Sequence, residues 1–285
     1  MALTKAHNRM IADAAVNVKD FGAKGDGTTD DTAAIQAALD SNGNVVHFPK
    51  GTYKITSQIS FSASKHLHGE NSLIDASSIS GTSSTPILTA DSVDDVLISG
   101  LSILGGNSSG QGTGSGTKTT TMRFRDCDNL VIENCKVKFS YGPSIALQGC
   151  TNYSIDNNHI YGSGRDGILT SNHTTGIQKN GVISNNRIEL TGDDAIAVDS
   201  DIGAQALAQA ENITVIGNVI LNHSANHTNL LGRGILVYGA KDVVVTGNTI
   251  KNSYSFGILC SPDTSTTPQN CENVIISNNT VIDAG

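Results

Sequence analysis

Seven segments of the chain repeat one pattern, apolar-x-apolar-x-[Asn/Gly]-x-x-apolar: VLISGLSI (96–103), LVIENCKV (130–137), YSIDNNHI (153–160), GVISNNRI (181–188), ITVIGNVI (213–220), VVVTGNTI (243–250) and VIISNNTV (274–281). Successive copies start 34, 23, 28, 32, 30 and 31 residues apart. These steps are too long for a hairpin and too uneven for a rigid module, as expected when loops vary around a constant coil. A second strand follows at a set offset: IAL (145–147), ILT (168–170), IAV (196–198), ILV (235–237) and ILC (258–260). Four of its five Ile residues come ten after the sixth repeat position; Ile235 comes seventeen after Asn218, the surplus being HSANHTN (223–229). One coil cannot bury its own apolar side chains, but stacked coils share a core and pair their backbones at about 4.8 Å.

That physics predicts an all-β chain, a right-handed parallel β-helix with a short N-terminal capping helix. The sixth position holds Asn158, Asn186, Asn218, Asn248 and Asn279 in five successive copies. Stacked in register, these side chains are expected to form an amide ladder and to tolerate the left-handed backbone of a tight turn. Cys127, Cys150 and Cys271 stand three residues before a repeat, where Val93, Ala210 and Ala240 stand elsewhere. A place that accepts Cys, Ala or Val is a small core site, so these thiols read as reduced core filling. The odd total of five Cys fits that reading better than a disulfide framework.

The expected boundaries are a lead-in segment over 1–16 and one β-helix domain over 17–285. Within it, 17–44 supply a strand, a Gly-rich turn and the helix, and the coils run over 45–285, their far end expected either to be covered by a partner or to continue in something longer. In NVKDFGAKGDGTTDDTAAIQAALD (17–40), Asp30 or Asp31 is the expected N-cap, and Ile35 and Leu39 the buried face. Asp26, Asp30 and Asp31 could also be read as Ca²⁺ ligands, but no full ligand loop follows them. NSSGQGTGSGTKTTT (107–121) reads as an excursion from the body.

A net charge of −8, with no Lys/Arg-rich run, argues against a nucleic-acid partner. No apolar run reaches the roughly 18 residues of a membrane span. The opening MALTKAHNRMIADAA lacks the apolar core of a secretory signal, so synthesis as a soluble cytosolic protein is expected.

The opening DFGAKGDGTTDDTAAIQAALD resembles that of the pectate-lyase-like β-helix superfamily, shared by pectinases and bacteriophage tailspikes. LTKAHNRMIADAA resembles the segment leading into the β-helix of phage tailspikes, which implies that 1–16 are a virion-attachment segment. What the resemblance implies is a homotrimer on a virion tail, made in the host cytoplasm, that contacts other tail proteins and binds a host capsule or lipopolysaccharide.

Candidate chemistry comes from aligning the second strands. Two residues before each Ile stand Asp166, Asp194 and Arg233 on consecutive coils, then Phe256; one residue earlier stand Arg165 and Asp193. Stacking places Asp166 over Asp194 at about 5 Å with Asp193 beside them. Carboxylates that close cannot all ionise cheaply, so at least one pKa should rise. A protonated carboxyl beside an ionised one is what glycosidic-bond hydrolysis needs. Strict alternation from an inward Ile would turn these carboxylates into the core, so the site requires bends at Gly167, Ala195 and Gly234. Otherwise GDD is only a coil corner whose carboxylates satisfy turn amides.

The same residues resemble the polygalacturonase branch: GDDAIAV (192–198) its paired Asp, RDGI (165–168) its preceding coil and GRGILV (232–237) its His-bearing coil. The resemblance implies Asp193 as general acid, with Asp166 and Asp194 activating water in an inverting hydrolysis. Arg233 stands where that branch has His, and no Arg-x-Lys follows near Ile258. Arg165, Arg233, His173 and Asp199 are the candidate substrate-binding residues, and no cofactor or metal is expected. His223, His227 and Asp201 lie in nearby loops. Tyr141, Tyr161, Tyr238 and Tyr254 are stacking platforms or loop packing. Leu169, Leu236 and Leu259 should face outward, as a subunit interface or beneath a covering loop. The expected function is a tailspike polysaccharide depolymerase, a hydrolase rather than a lyase. The alternatives are a non-catalytic receptor-binding or structural fibre and a bacterial pectinase-like enzyme.

Overall fold

A computed structural model describes residues 15–81, 84–107, 119–174, 176–200, 209–222, 232–263 and 269–284. Three parallel sheets of ten, ten and eight strands run the length of the molecule, each strand pairing with its counterparts one coil before and after. The fold is a right-handed parallel β-helix, the hand that a right-twisted strand imposes on a crossover between parallel neighbours.

Each full coil has three strands where the repeat led us to expect two. The eight-residue unit bends at its fifth position, and its halves enter different sheets. Lys179–Ser184 belongs to the first sheet and Arg187–Thr191 to the second. The fifth position is left-handed in all seven copies, at Gly100, Asn134, Asn157, Asn185, Gly217, Gly247 and Asn278. Only Gly and Asn take that conformation at low cost. The turn conformation therefore lies one residue before the ladder.

The ladder itself is present. Asn158 Nδ2 donates to Asn186 Oδ1 at 3.0 Å, Asn186 to Asn218 at 3.0 Å, Asn218 to Asn248 at 2.9 Å and Asn248 to Asn279 at 2.9 Å. Each acceptor oxygen also takes the backbone N–H of the residue above it, as Asn218 Oδ1 does from Asn186 N at 3.0 Å. The buried amides are thus satisfied along the stack, as a desolvated corner demands.

The apolar core runs unbroken between the sheets, from Val16 and Phe48 through Ile98, Ile132, Ile155, Ile183 and Val215 to Ile250. Cys127 and Cys150 are buried free thiols within it, and Cys271 packs partly buried at its margin. Gln178 takes the same column position on the coil after Cys150 and is fully buried, its Oε1 accepting Cys150 N at 2.8 Å. Gly181 gives up its side chain to Tyr153: a Cβ there would lie 1.9 Å from the Tyr153 ring.

At the first end the helix spans Thr32–Leu39 and buries Ile35, Ala38 and Leu39. Asp31 is the N-cap by position but makes no side-chain cap bond. Its carboxylate holds the Gly-rich turn, accepting Lys24 N at 2.7 Å and Gly25 N at 2.9 Å. Asp30 accepts Thr32 N at 3.0 Å, and Asp26 accepts Thr28 N and Thr29 N, both at 2.8 Å. All three carboxylates are thus engaged by local donors.

Candidate active site on the third sheet

The third sheet carries IALQ (145–148), ILTS (168–171), IAVD (196–199), ILVY (235–238) and ILCS (258–261) in register, with Ile145, Ile168, Ile196, Ile235 and Ile258 on consecutive rungs. Immediately before these strands the chain bends at Gly167, Ala195 and Gly234. Ala195 and Ile196 both enter the core, which breaks strict alternation and turns the preceding residue outward. The bends are close-packed. A Cβ on Gly167 would meet the Ala195 carbonyl at 2.6 Å, and one on Gly234 would meet the Gly257 carbonyl at a still shorter distance. Backbone bonds carry the stacking through the bend: Gly167 N to Asp194 O at 2.9 Å, then Ala195 N to Arg233 O at 3.0 Å.

Asp166, Asp193 and Asp194 consequently gather in one place, each offering an oxygen within 4.8 Å of the others. All three are buried. Arg233, from the next coil, clamps Asp194 in a fork, Nε to Oδ1 at 2.5 Å and Nη2 to Oδ2 at 2.9 Å. Its Nη2 lies 3.6 Å from Asp193 Oδ1, and Arg165 Nη2 lies 3.6 Å from Asp193 Oδ2. Asp193 Oδ1 is buried without a hydrogen-bond partner. Carboxylates at this spacing are also a recognisable cation cradle; here Arg233 supplies the positive charge and occupies both oxygens of Asp194.

Burial pushes the Asp166 carboxyl up to about 7, with the Asp193 charge adding to the rise and Arg165 opposing it. Burial and the charges of Asp166 and Asp193 push Asp194 well above the usual carboxylate range, against the pull of Arg233. Asp166 and Asp194 therefore titrate as a coupled pair. Asp194, held bidentately by a guanidinium, is the member best kept ionised, and Asp166 is the one best placed to hold the proton.

The trio opens into a cleft of about 360 Å³ lined also by Arg165, Arg233, Asp199 and Tyr238. Asp199 and Tyr238 are register partners at the far end of the strands. Leu169, Ala197 and Leu236 form the cleft floor, and Leu236 is only 5% exposed. Leu169 and Leu236 point away from the core, as alternation predicts, and line this cleft. His173 is not among the residues that line this cleft. It follows the C-terminal end of its strand, whereas Asp166 precedes the N-terminal end, and its Nδ1 pairs with Asp126 Oδ2 at 2.7 Å. Asp201, His223 and His227 lie outside the described residues. Tyr161 packs edge-on against Phe139, and Tyr141 fills the space beside Gly81 and Gly106.

Two supporting residues escaped the sequence reading. Thr191 Oγ1 donates to the Asp193 carbonyl at 3.0 Å, and Asn222 Oδ1 accepts Thr191 N at 3.2 Å, fixing the corner from which both aspartates project. The available signal was a buried hydroxyl three residues after the inward apolar residue of the second sheet, at Ser140, Ser163, Thr191 and Ser253.

Comparison with known proteins bears on the fold and the family. The chain is 32% identical over 222 residues to polygalacturonase-2 of Solanum lycopersicum, covering 70% of this chain and 47% of that protein. It is 24% identical over 287 residues to plasmin and fibronectin-binding protein A of Streptococcus pneumoniae, covering 83% and 39%. The chain thus spans less than half the length of either relative. In fold it is similar to the catalytic unit of a thermostable GH87 α-1,3-glucanase from Streptomyces thermodiastaticus, with a TM-score of 0.72 and 21% identity over 94% of this chain and 47% of that one. It is similar also to ORF18 of Geobacillus virus E2, with a TM-score of 0.61 and 19% identity over 94% and 60%. The family model described as rhamnogalacturonase A/epimerase, pectate lyase-like, matches residues 15–281, which takes in the capping helix, every coil and the aspartate cleft. By that match the chain belongs to the rhamnogalacturonase A/epimerase family of pectate lyase-like proteins.

Proposed function

We propose that this chain is a polysaccharide depolymerase that hydrolyses glycosidic bonds in the Asp166–Asp193–Asp194 cleft, and that it serves on a bacteriophage tail as a spike against a host surface polysaccharide. The observation that carries the chemistry is the buried carboxylate trio, open to a cleft and faced by two arginines. Membership of a family that includes polysaccharide hydrolases supports it. The lead-in LTKAHNRMIADAA and the fold likeness to a viral protein favour the tail setting.

In this reading Asp166 stores the proton in the free protein, and Asp193, whose Oδ1 has no partner, delivers it to the leaving oxygen. Separations within 4.8 Å suit transfer through a single bridging water. They are shorter than the roughly 6.5–9.5 Å gap that normally holds the attacking water of an inverting pair. The water therefore sits to one side of the trio, activated by Asp194 or by Asp166 once deprotonated. Arg233 keeps Asp194 ionised, and Arg165, half exposed at the mouth, is placed to hold a sugar hydroxyl or carboxylate.

The test is reducing-end release from purified host capsule or lipopolysaccharide by the full chain. Asp193→Asn and Asp194→Asn should each lower the rate by about 10²–10⁴-fold, with circular dichroism unchanged. Equal rates would place the chemistry elsewhere. Retention of polysaccharide without cleavage would support the binding-only fibre, and absorbance of an unsaturated sugar a lyase.

A further inference from the structure

A wider groove, of about 780 Å³, lies on the outer face of the second sheet, away from the carboxylate cleft. It crosses four consecutive strands, Gly51–Lys54, Ser72–Asp75, Ser102–Leu104 and Lys136–Lys138, paired as Thr52–Leu73–Ser102–Lys136 and Lys54–Asp75–Leu104–Lys138. At one rung spacing per step it is about 14 Å long. Lys136 and Lys138 straddle the buried Val137 at one end, and Lys50 stands at the other; all three are exposed. The lysine ion pairs among the described residues are those of Lys179 and Lys241 with Glu211, so these three ammonium groups face solvent uncommitted. The opposing carboxylates are Asp26, whose oxygens are taken by Thr28 and Thr29, and Asp75 beside the groove, which accepts Ser77 N. The floor is apolar, from half-buried Leu73 and Leu104. Phe139 closes the rim from a left-handed backbone at φ +58°, unusual for an aromatic residue.

We propose that this groove is a second glycan site, which binds a segment of acidic polysaccharide without cleaving it. Its charge pattern is the reverse of the cleft's. Cations stand at both ends on a chain of net charge −8, and no buried carboxylate pair is present among its lining to act as acid and base. Uronate, sulfate or phosphate substituents would meet the lysines, while the C–H faces of the sugar rings rest on Leu73, Leu104 and Phe139. A glycan is favoured over a nucleic acid because the floor offers leucines in place of aromatic platforms for bases. The choice of glycan rests on the depolymerase reading; the existence of an anion-binding groove does not. Holding one stretch of polymer here raises the effective concentration of the rest at the cleft.

The experiment compares the full chain, a Lys50→Gln/Lys136→Gln/Lys138→Gln variant and Asp193→Asn in affinity electrophoresis through gels containing polygalacturonate, dextran sulfate, neutral dextran or single-stranded DNA. Wild type and Asp193→Asn should both be retarded by the acidic glycans and not by dextran, and added salt should weaken the retardation. The triple variant should bind about ten-fold more weakly, three exposed charges contributing a few tenths of a kcal/mol each, with its melting temperature unchanged. Retardation that survives the triple substitution, equal retardation by dextran, preference for DNA, or no retardation of wild type would each overturn the proposal. Lysine-dependent retardation by a wild-type chain that cleaves nothing would leave the groove standing and remove the depolymerase reading.

Discussion

Replacing Asp166 with Asn separates the stability of the site from its chemistry. The folded carboxyl sits at about 7 against an ordinary value of 3.8. Below pH 4 the group is protonated in both folded and unfolded chains and costs nothing. As the pH rises from 4 to 7 the unfolded chain ionises first and the folded state loses stability by linkage. A carboxyl raised from 3.8 to about 7 loses roughly 4 kcal/mol of stability, in full above pH 7. Asn has nearly the same shape and no charge, so the variant lacks this slope. At pH 8 it should be the more stable protein by up to about 4 kcal/mol, less whatever its amide loses in fit. A chain of 285 residues has an unfolding entropy of roughly 0.6 kcal/mol/K, so the melting temperature should rise by up to about 7 °C at pH 8. At pH 4 the two melting curves should coincide. Cleavage should fall by about 10²–10⁴-fold throughout. Melting followed by far-ultraviolet circular dichroism at half-unit pH steps is the assay. A variant less stable than wild type at pH 8, or a difference that does not shrink toward pH 4, would refute the burial argument.

Other perturbations probe the rest of the frame. Wild-type cleavage should show an alkaline limb near pH 7, where the Asp166 proton is lost, and a limb that stays put in Asp166→Asn would assign it to another group. Arg233→Met removes the fork on Asp194 and leaves a buried carboxylate uncompensated, so stability at pH 8 should fall by about 3–5 kcal/mol and less at pH 4, where Asp194 takes up a proton. Asn218→Ala strips the acceptor from two Asn186 donors, with an expected loss of about 3 kcal/mol in chemical unfolding. Gly181→Ala should cost about 1–3 kcal/mol by overpacking against Tyr153, and most of it should return in the double variant with Tyr153→Leu.

The architecture was legible because a solenoid writes its geometry as a period. Apolar residues at a fixed offset from Asn158, Asn186 and Asn248 can share a core only if the coils stack, and stacking alone brings Asp166 above Asp194 and Arg233 beside them. The division of each coil into three strands was not legible. The bend at Asn157, Asn185 or Gly217 is a backbone conformation that Gly and Asn permit and do not announce. Nor could the sequence decide which way the carboxylates point. Alternation from Ile196 sends Asp194 inward, and only the double inward step at Ala195–Ile196, bonded to the Arg233 and Gly234 carbonyls, reverses it. The same holds for Leu169 and Leu236, outward by alternation yet enclosed in a cleft by walls that come from other coils. His173 shows the limit from the other side: near Asp166 along the chain, it is carried to the opposite end of its strand and paired with Asp126. Periodicity records which residues share a rung; direction at the ends of strands depends on close packing between rungs, and that exists only once the coils are stacked.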